Sequence, residues 1–149
     1  MGSYKQIFYQ LVLGTKYRKH TIPEEHSQEL YRYINGLVKN KGCMLYTING
    51  ISDHIHLFTD LHPSVCLADL IKDIKLASGK LMKASLNFPH WEGWADGYGA
   101  FTYNFNEKQA VINYIVNQKE HHKKETFYDE YKRLLIENGI QFNEAYMLG

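Results

Sequence analysis

Cysteine is scarce in this chain of 149 residues, and its only two, Cys43 and Cys66, have neither the number nor the spacing of a zinc site or a disulfide framework. Long hydrophobic runs are absent too. No stretch approaches the roughly 18 uninterrupted apolar residues of a membrane span. Lys5 and Gln6 break the early apolar stretch that a secretory signal needs. Nor is there a surplus of one charge, since 17 Lys+Arg stand against 16 Asp+Glu for a net +1. Composition therefore does not announce a nucleic-acid binder, whose affinity draws on phosphate neutralisation. A cytoplasmic protein without a membrane segment is the expectation. The 44% hydrophobic and 22% charged fractions are those of an ordinary globular chain, and residues 1–149 suffice for one domain with a real core. In excess are histidine, eight residues, and tyrosine, twelve.

The order of elements follows from hydrophobic period and punctuation. Residues 4–13 alternate Ile7, Tyr9, Leu11 and Leu13 with polar neighbours, the period-two mark of a strand. A basic loop, Thr15 to His20, follows. Pro23 with Glu24 and Glu25 suits a helix start, and Leu30, Tyr33, Ile34, Leu37 and Val38 keep helical spacing to about Gly42. Cys43 to Asn49 reads as a strand, Asn49-Gly50 as a turn, and His54 to Asp60 as the next strand. Pro63 and Ser64 open a helix with Leu67, Leu70, Ile71, Ile74 and Leu81 on one face. After a loop rich in Gly and Trp, Gly99 to Asn104 reads as a fourth strand, Glu107 opens a long helix, and Phe127 to Asn138 forms another. The order β-α-β-β-α-β is that of the ferredoxin-like (RRM-like) split βαβ fold: α+β, with an antiparallel sheet, helices on one face, and here a C-terminal helical extension from about residue 126.

Two groups of residues invite a chemical reading. In a strand, His54 and His56 emerge on the same face with Ile55 turned the other way. Two imidazoles so placed can hold two adjacent positions on a divalent metal. The bare triplet is weak in a chain with eight histidines; two polar rings on a central strand are what lift it. Tyr114 and Gln118 stand one helical turn apart, stacked on one face. The plain alternative makes Tyr114 one more aromatic over the sheet and Gln118 its solvated neighbour. His121-His122-Lys123-Lys124 has a simple role as cations at a helix C-terminus. Lys16, Arg18 and Lys19, and Lys72, Lys75, Lys80 and Lys83, suit phosphates or plain solvation. Tyr17, Trp91 and Trp94 can stack bases, although tryptophans in such a loop more often plug a core edge.

Taken together, DHIH on the third strand, the opening strand with TKYR after it, GYGAFTYN, and the helix VINYIVNQKEHHKK resemble the HUH single-tyrosine transposases of small bacterial insertion sequences. The likeness runs over almost the whole chain, and several motifs in the right order are more specific than any one. Where the related REP-associated transposases tend to show Asn-Pro, this chain has Asn117-Gln118, nearer the insertion-sequence branch. The resemblance implies that His54, His56 and Gln118 bind Mg²⁺ or Mn²⁺ and that Tyr114 attacks single-stranded DNA. The product would be a 5′-phosphotyrosine whose energy serves rejoining. It further implies a homodimer, with the histidines of one subunit facing Tyr114 of the other, and recognition of DNA hairpins at element ends. Lys16, Arg18 and Lys19 are the expected DNA contacts. Two other readings stay open: a catalytically silent, domesticated or decayed nucleic-acid-binding protein, and a metal-dependent nuclease that uses water.

Overall fold

A computed structural model describes residues 2–147. Four antiparallel strands, β1 (Phe8–Gly14), β2 (Leu45–Ile51), β3 (His54–Asp60) and β4 (Gly99–Tyr103), form one sheet in the order β2-β3-β1-β4. The central pair is in continuous register from Phe8 opposite Asp60 to Gly14 opposite His54. Helices α1 (Ser27–Asn40) and α2 (Leu67–Ala84) occupy the two crossovers. The split βαβ arrangement expected from the element order is what forms.

Strand alternation sends two different sets of side chains to the two faces. Leu11 and Leu13 of β1 and Ile55 and Leu57 of β3 pack against Leu30, Ile34 and Val38 of α1 and Leu70, Ile71 and Ile74 of α2. Each fully buried Leu or Ile there contributes about 1.5–3 kcal/mol relative to exposure. The opposite face presents Phe8, Val12, Phe58 and Phe101. It is covered by α3 (Lys108–Val116), a short α4 (Gln118–His121) and α5 (Phe127–Glu137). The C-terminal helices thus pack on the face that the crossover helices leave open. Val111 and Ile115 of α3, and Phe127, Tyr131 and Leu134 of α5, are the buried positions.

Three local expectations give way to tertiary packing. Asn49-Gly50 is not the turn; both residues lie inside β2, and the chain reverses at Ser52-Asp53. A Cβ on Gly50 would sit 2.1 Å from the His54 carbonyl oxygen, so the glycine serves strand approach rather than a turn. Asn49 donates through Nδ2 to the carbonyls of Ile115 (3.1 Å) and Val116 (2.9 Å), closing the end of α3. The helix predicted to run on from Glu107 breaks there: Asn117 (φ −92°, ψ 20°) separates α3 from α4. The helix placed from Pro63 begins at Leu67 instead. Trp94 plugs the core and donates to Ser78 Oγ at 3.0 Å, with Trp91 packed beside it at 4.9 Å between ring centroids.

A candidate metal centre beside a tyrosine

The site begins with β3. His54 and His56 project from the strand face that α3, α4 and α5 cover, while Ile55 enters the core between sheet and crossover helices. Both imidazoles are 0% exposed, so every ring nitrogen needs a partner. Each Nδ1 has a dedicated one. His54 Nδ1 meets Asp53 Oδ1 at 2.8 Å, and His56 Nδ1 meets Gln10 Oε1 at 2.8 Å. Gln10 presents that oxygen because its Nε2 donates to the Tyr103 hydroxyl at 2.9 Å. Phe127 stacks flat on the His54 ring, 3.9 Å between centroids and 2° between planes.

The Nε2 atoms point the other way, into a shared space. Gln118, at the start of α4, brings Oε1 to 3.1 Å from His54 Nε2 and 3.0 Å from His122 Nε2. Glu130, from the first turn of α5, brings Oε1 to 3.0 Å from His56 Nε2, 3.2 Å from His54 Nε2 and 3.0 Å from His122 Nε2. Its other oxygen, Oε2, accepts from Gln118 Nε2 at 2.9 Å and from the Tyr114 hydroxyl. Arg133 Nη2 donates to the Tyr114 oxygen at 2.8 Å and to Glu125 Oε1 at 3.0 Å, and His121 Nε2 stands 3.2 Å from the same hydroxyl. The phenol of Tyr114 and the histidine pair are therefore joined through one carboxylate.

Burial sets the electrostatics. Desolvation drives the His56 imidazole down to about 4, against hydrogen bonding with Glu130. For His54 the same desolvation is outweighed by its hydrogen bonds to Asp53 and Glu130, which raise it. Glu130 is also desolvated, yet bonds from His122, His54 and His56 hold its carboxyl well below the usual range. Burial, with the charge and hydrogen bond of Glu130, pushes the Tyr114 phenol up, against Arg133.

The donor set fits a cation. His54, His56, His122 and Glu130 offer one ligand atom each, all within 4.8 Å of one another, and the Gln118 oxygen lies among them. An imidazole whose Nδ1 donates to a fixed acceptor keeps its Nε2 lone pair free for a metal. Here the partners on the Nδ1 side are a carboxylate, an amide oxygen and, for His122, the Glu125 carbonyl at 2.7 Å. Nitrogen and oxygen atoms able to serve as ligands thus converge on the same small space.

The four residues singled out in the sequence, His54, His56, Tyr114 and Gln118, come together within one chain. Arg18 lines a cleft that reaches His122 and Asp53. Lys16 is exposed beside it, and Lys19 is paired with Glu92 at 2.7 Å. Of the α2 lysines, Lys75 donates to the carbonyls of Ala95, Asp96 and Gly97; the helix lies on the face away from the histidines. The sequence reading gives His122 a helix-end role rather than a ligand's, and does not single out Glu130. His122 follows Gln118 by one helical turn, the same spacing that links Gln118 to Tyr114, and is turned inward rather than merely capping a helix end. Glu130 stands on the buried stripe of Phe127, Tyr131 and Leu134. An acid inside an apolar stripe was the available sign.

The family model described as "Transposase IS200 like" matches residues 3–118. This chain belongs to that family. Among its relatives, the ISDra2 transposase TnpA of Deinococcus radiodurans is 27% identical over 124 residues, 80% of this chain and 89% of the relative. A solved structure described as a transposase from the same organism superposes with TM-score 0.61 at 26% identity, covering 79% of this chain and 95% of that one. The structure of a REP-associated tyrosine transposase bound to a REP hairpin superposes with TM-score 0.62, at 13% identity, over 82% of this chain and 74% of that one; at that identity the likeness is one of fold. The transposase family match ends at Gln118, so His122 and Glu130 lie beyond it.

Proposed function

We propose that this transposase cuts and rejoins single-stranded DNA, with Tyr114 as nucleophile and His54, His56 and Gln118 holding Mg²⁺ or Mn²⁺. The observation that carries the reading is the placement of the Tyr114 hydroxyl on the same carboxylate that faces both histidines. A phenol with an ordinary pKa near 10 is a weak nucleophile at neutral pH. Here Glu130 Oε2 orients the hydroxyl, and Arg133 Nη2, which opposes the upward push on the phenol, stabilises negative charge on its oxygen as the proton leaves toward the departing 3′ oxygen. Attack of that oxygen on phosphorus forms the P–O bond to tyrosine and breaks the bond to the 3′ oxygen, which leaves as a 3′-OH after taking up a proton. The 5′-phosphotyrosine keeps the phosphodiester energy, so another 3′-OH can reverse the step without ATP. A bound divalent ion would hold a phosphate oxygen and offset the developing charge.

For the strand, a cleft of about 470 Å³ lined by Tyr17, Arg18, His20, Asp53, His122 and Phe127 leads to the histidines. Tyr17 is 69% exposed and, like Arg18, has φ 58°, a conformation that turns its ring outward at a local cost. A base stacked on Tyr17, with Arg18 and Lys16 on neighbouring phosphates, fits the cleft chemically. The hairpin seen with the REP-associated relative suggests a hairpin ligand here too. The same reading includes a cytoplasmic homodimer, with the histidines of one subunit able to face Tyr114 of the other; no helix among the described residues is long and apolar enough to cross a membrane.

Incubation with labelled single-stranded DNA from the ends of the source element tests this. The expected result is a metal-dependent covalent protein–DNA adduct, absent from Tyr114→Phe and from samples in EDTA that remain folded by circular dichroism. Cleavage that persists in Tyr114→Phe without an adduct would assign the chemistry to water. DNA binding without cleavage in the wild type would point to a silent binding protein.

A further inference from the structure

His122 and Glu130 belong to the cluster of potential donor atoms but have no part in the His54, His56 and Gln118 set proposed above, yet nothing about their positions distinguishes them from it. His122 is held as a metal-binding histidine is held. Its Nδ1 faces the Glu125 carbonyl at 2.7 Å, which can only accept, so the proton resides on Nδ1 and Nε2 carries the lone pair. That lone pair points at Gln118 Oε1 and Glu130 Oε1, both at 3.0 Å, and both of these oxygens are acceptors as well. His54 repeats the pattern, with the Asp53 carboxylate on one nitrogen and Gln118 and Glu130 oxygens on the other. With an acceptor on each Nδ1, three imidazole Nε2 atoms and two side-chain oxygens converge on one small space, the disposition of ligands around a cation. The side chain of Glu130 is 0% exposed and that of His122 only 4%, so water is a poor candidate to occupy it.

We propose that His122 and Glu130 are themselves metal ligands, completing with His54, His56 and Gln118 a centre of three imidazoles, one carboxylate and one amide oxygen that selects a divalent transition ion over Mg²⁺. The inference rests on the metal-dependent reading of the site above. Mg²⁺ prefers oxygen ligands and keeps several waters, whereas imidazole-rich sets favour the first-row ions from Mn²⁺ to Zn²⁺. Five protein donors leave one position of an octahedron for a phosphate oxygen. Because Glu130 would bind through Oε1 and hold Tyr114 through Oε2, ligand and nucleophile orientation are tied to one residue of α5.

The test is metal binding by the full chain, stripped of metal and titrated with Mn²⁺ and separately with Mg²⁺. Wild type is expected to bind Mn²⁺ at least about tenfold more tightly than Mg²⁺. Pulsed electron paramagnetic resonance of the Mn²⁺ or Cu²⁺ form is expected to count three coordinated imidazoles, and two in His122→Asn. Glu130→Gln and His122→Asn are each expected to weaken Mn²⁺ by more than about tenfold. A wild-type count of two imidazoles, or Glu130→Gln with unchanged affinity while His56→Ala loses the metal, would overturn the proposal and leave the wider reading intact. No metal binding by wild type, with adducts still forming in EDTA, would remove both. The imidazole count needs no variant, so a Glu130→Gln protein that fails to fold does not shield the idea.

Discussion

At the scale of single residues, the site is built by partners that accept hydrogen bonds on the strand side of each ring. Asp53 is the clearest of them: its carboxylate lies 2.8 Å from His54 Nδ1 at the β2–β3 turn and is 6% exposed. It orients the imidazole and fixes its tautomer, without reaching the space where the Nε2 atoms meet. Asp53→Ala is expected to lower Mn²⁺ affinity about 10–100-fold while leaving the imidazole count unchanged, measured by titration and resonance together. A loss of one imidazole from the count would show instead that His54 swings away without its partner. In the sequence Asp53, immediately before His54, reads either as a group supporting the imidazole or simply as a turn residue. Whether it was a turn former or a partner to the ring depended on the reversal falling at Ser52-Asp53, and that was decided by the registry of β2 on β3.

Among elements, the β2–β3 hairpin carries the most consequence for the site, because it sets which side of the sheet the histidines face. Its register pairs Asn49 with His56 and Gly50 with Ile55, and a slip by one residue would send both imidazoles into the apolar core. Gly50 permits that register by close approach to the His54 carbonyl. Gly50→Ala forces a Cβ into backbone that has no room to move aside, and a loss of about 2–3 kcal/mol is expected, read as a lower midpoint of urea unfolding with unchanged slope. Unchanged stability would mean that β2 can shift outward at no cost. Strands β1, β3 and β4, helices α1 and α2, and α5 were all readable from period. Asn49-Gly50 and the α3–α4 break were not, since both depend on Asn49 reaching across to the end of α3.

For the molecule as a whole, the sheet is a wall with a different layer on each side, and each layer contains a buried tyrosine that titrates late. Tyr31 of α1 lies on the crossover face and Tyr131 of α5 on the site face, and burial pushes both up to about 12. The unfolded chain would lose these protons near 10, so between pH 10 and 12 the native state binds more protons than the unfolded one. Their contribution is fully present below pH 10 and is lost as pH rises through 12, about 2–3 kcal/mol for each tyrosine. Urea unfolding is expected to show stability falling across that interval in wild type. The fall should be shallower in Tyr131→Phe; an equal slope in the variant would show that α5 is not packed on the sheet at alkaline pH.

The sequence alone determined the order of strands and helices, the pairing of His54 and His56 on one strand face, and the one-turn relation of Tyr114 to Gln118. All of these follow from chain periods of two or about 3.6 residues, which act locally. It also carried enough ordered motifs to resemble the transposase family to which the chain belongs. Tertiary structure decided which face the helices after residue 107 would cover, and so placed Glu130, 74 residues from His56, against its ring. No local period encodes a contact at that separation. It arises because the apolar stripe of α5 can be buried only on the open face of the sheet, and Glu130, lying on that stripe, is carried in with it.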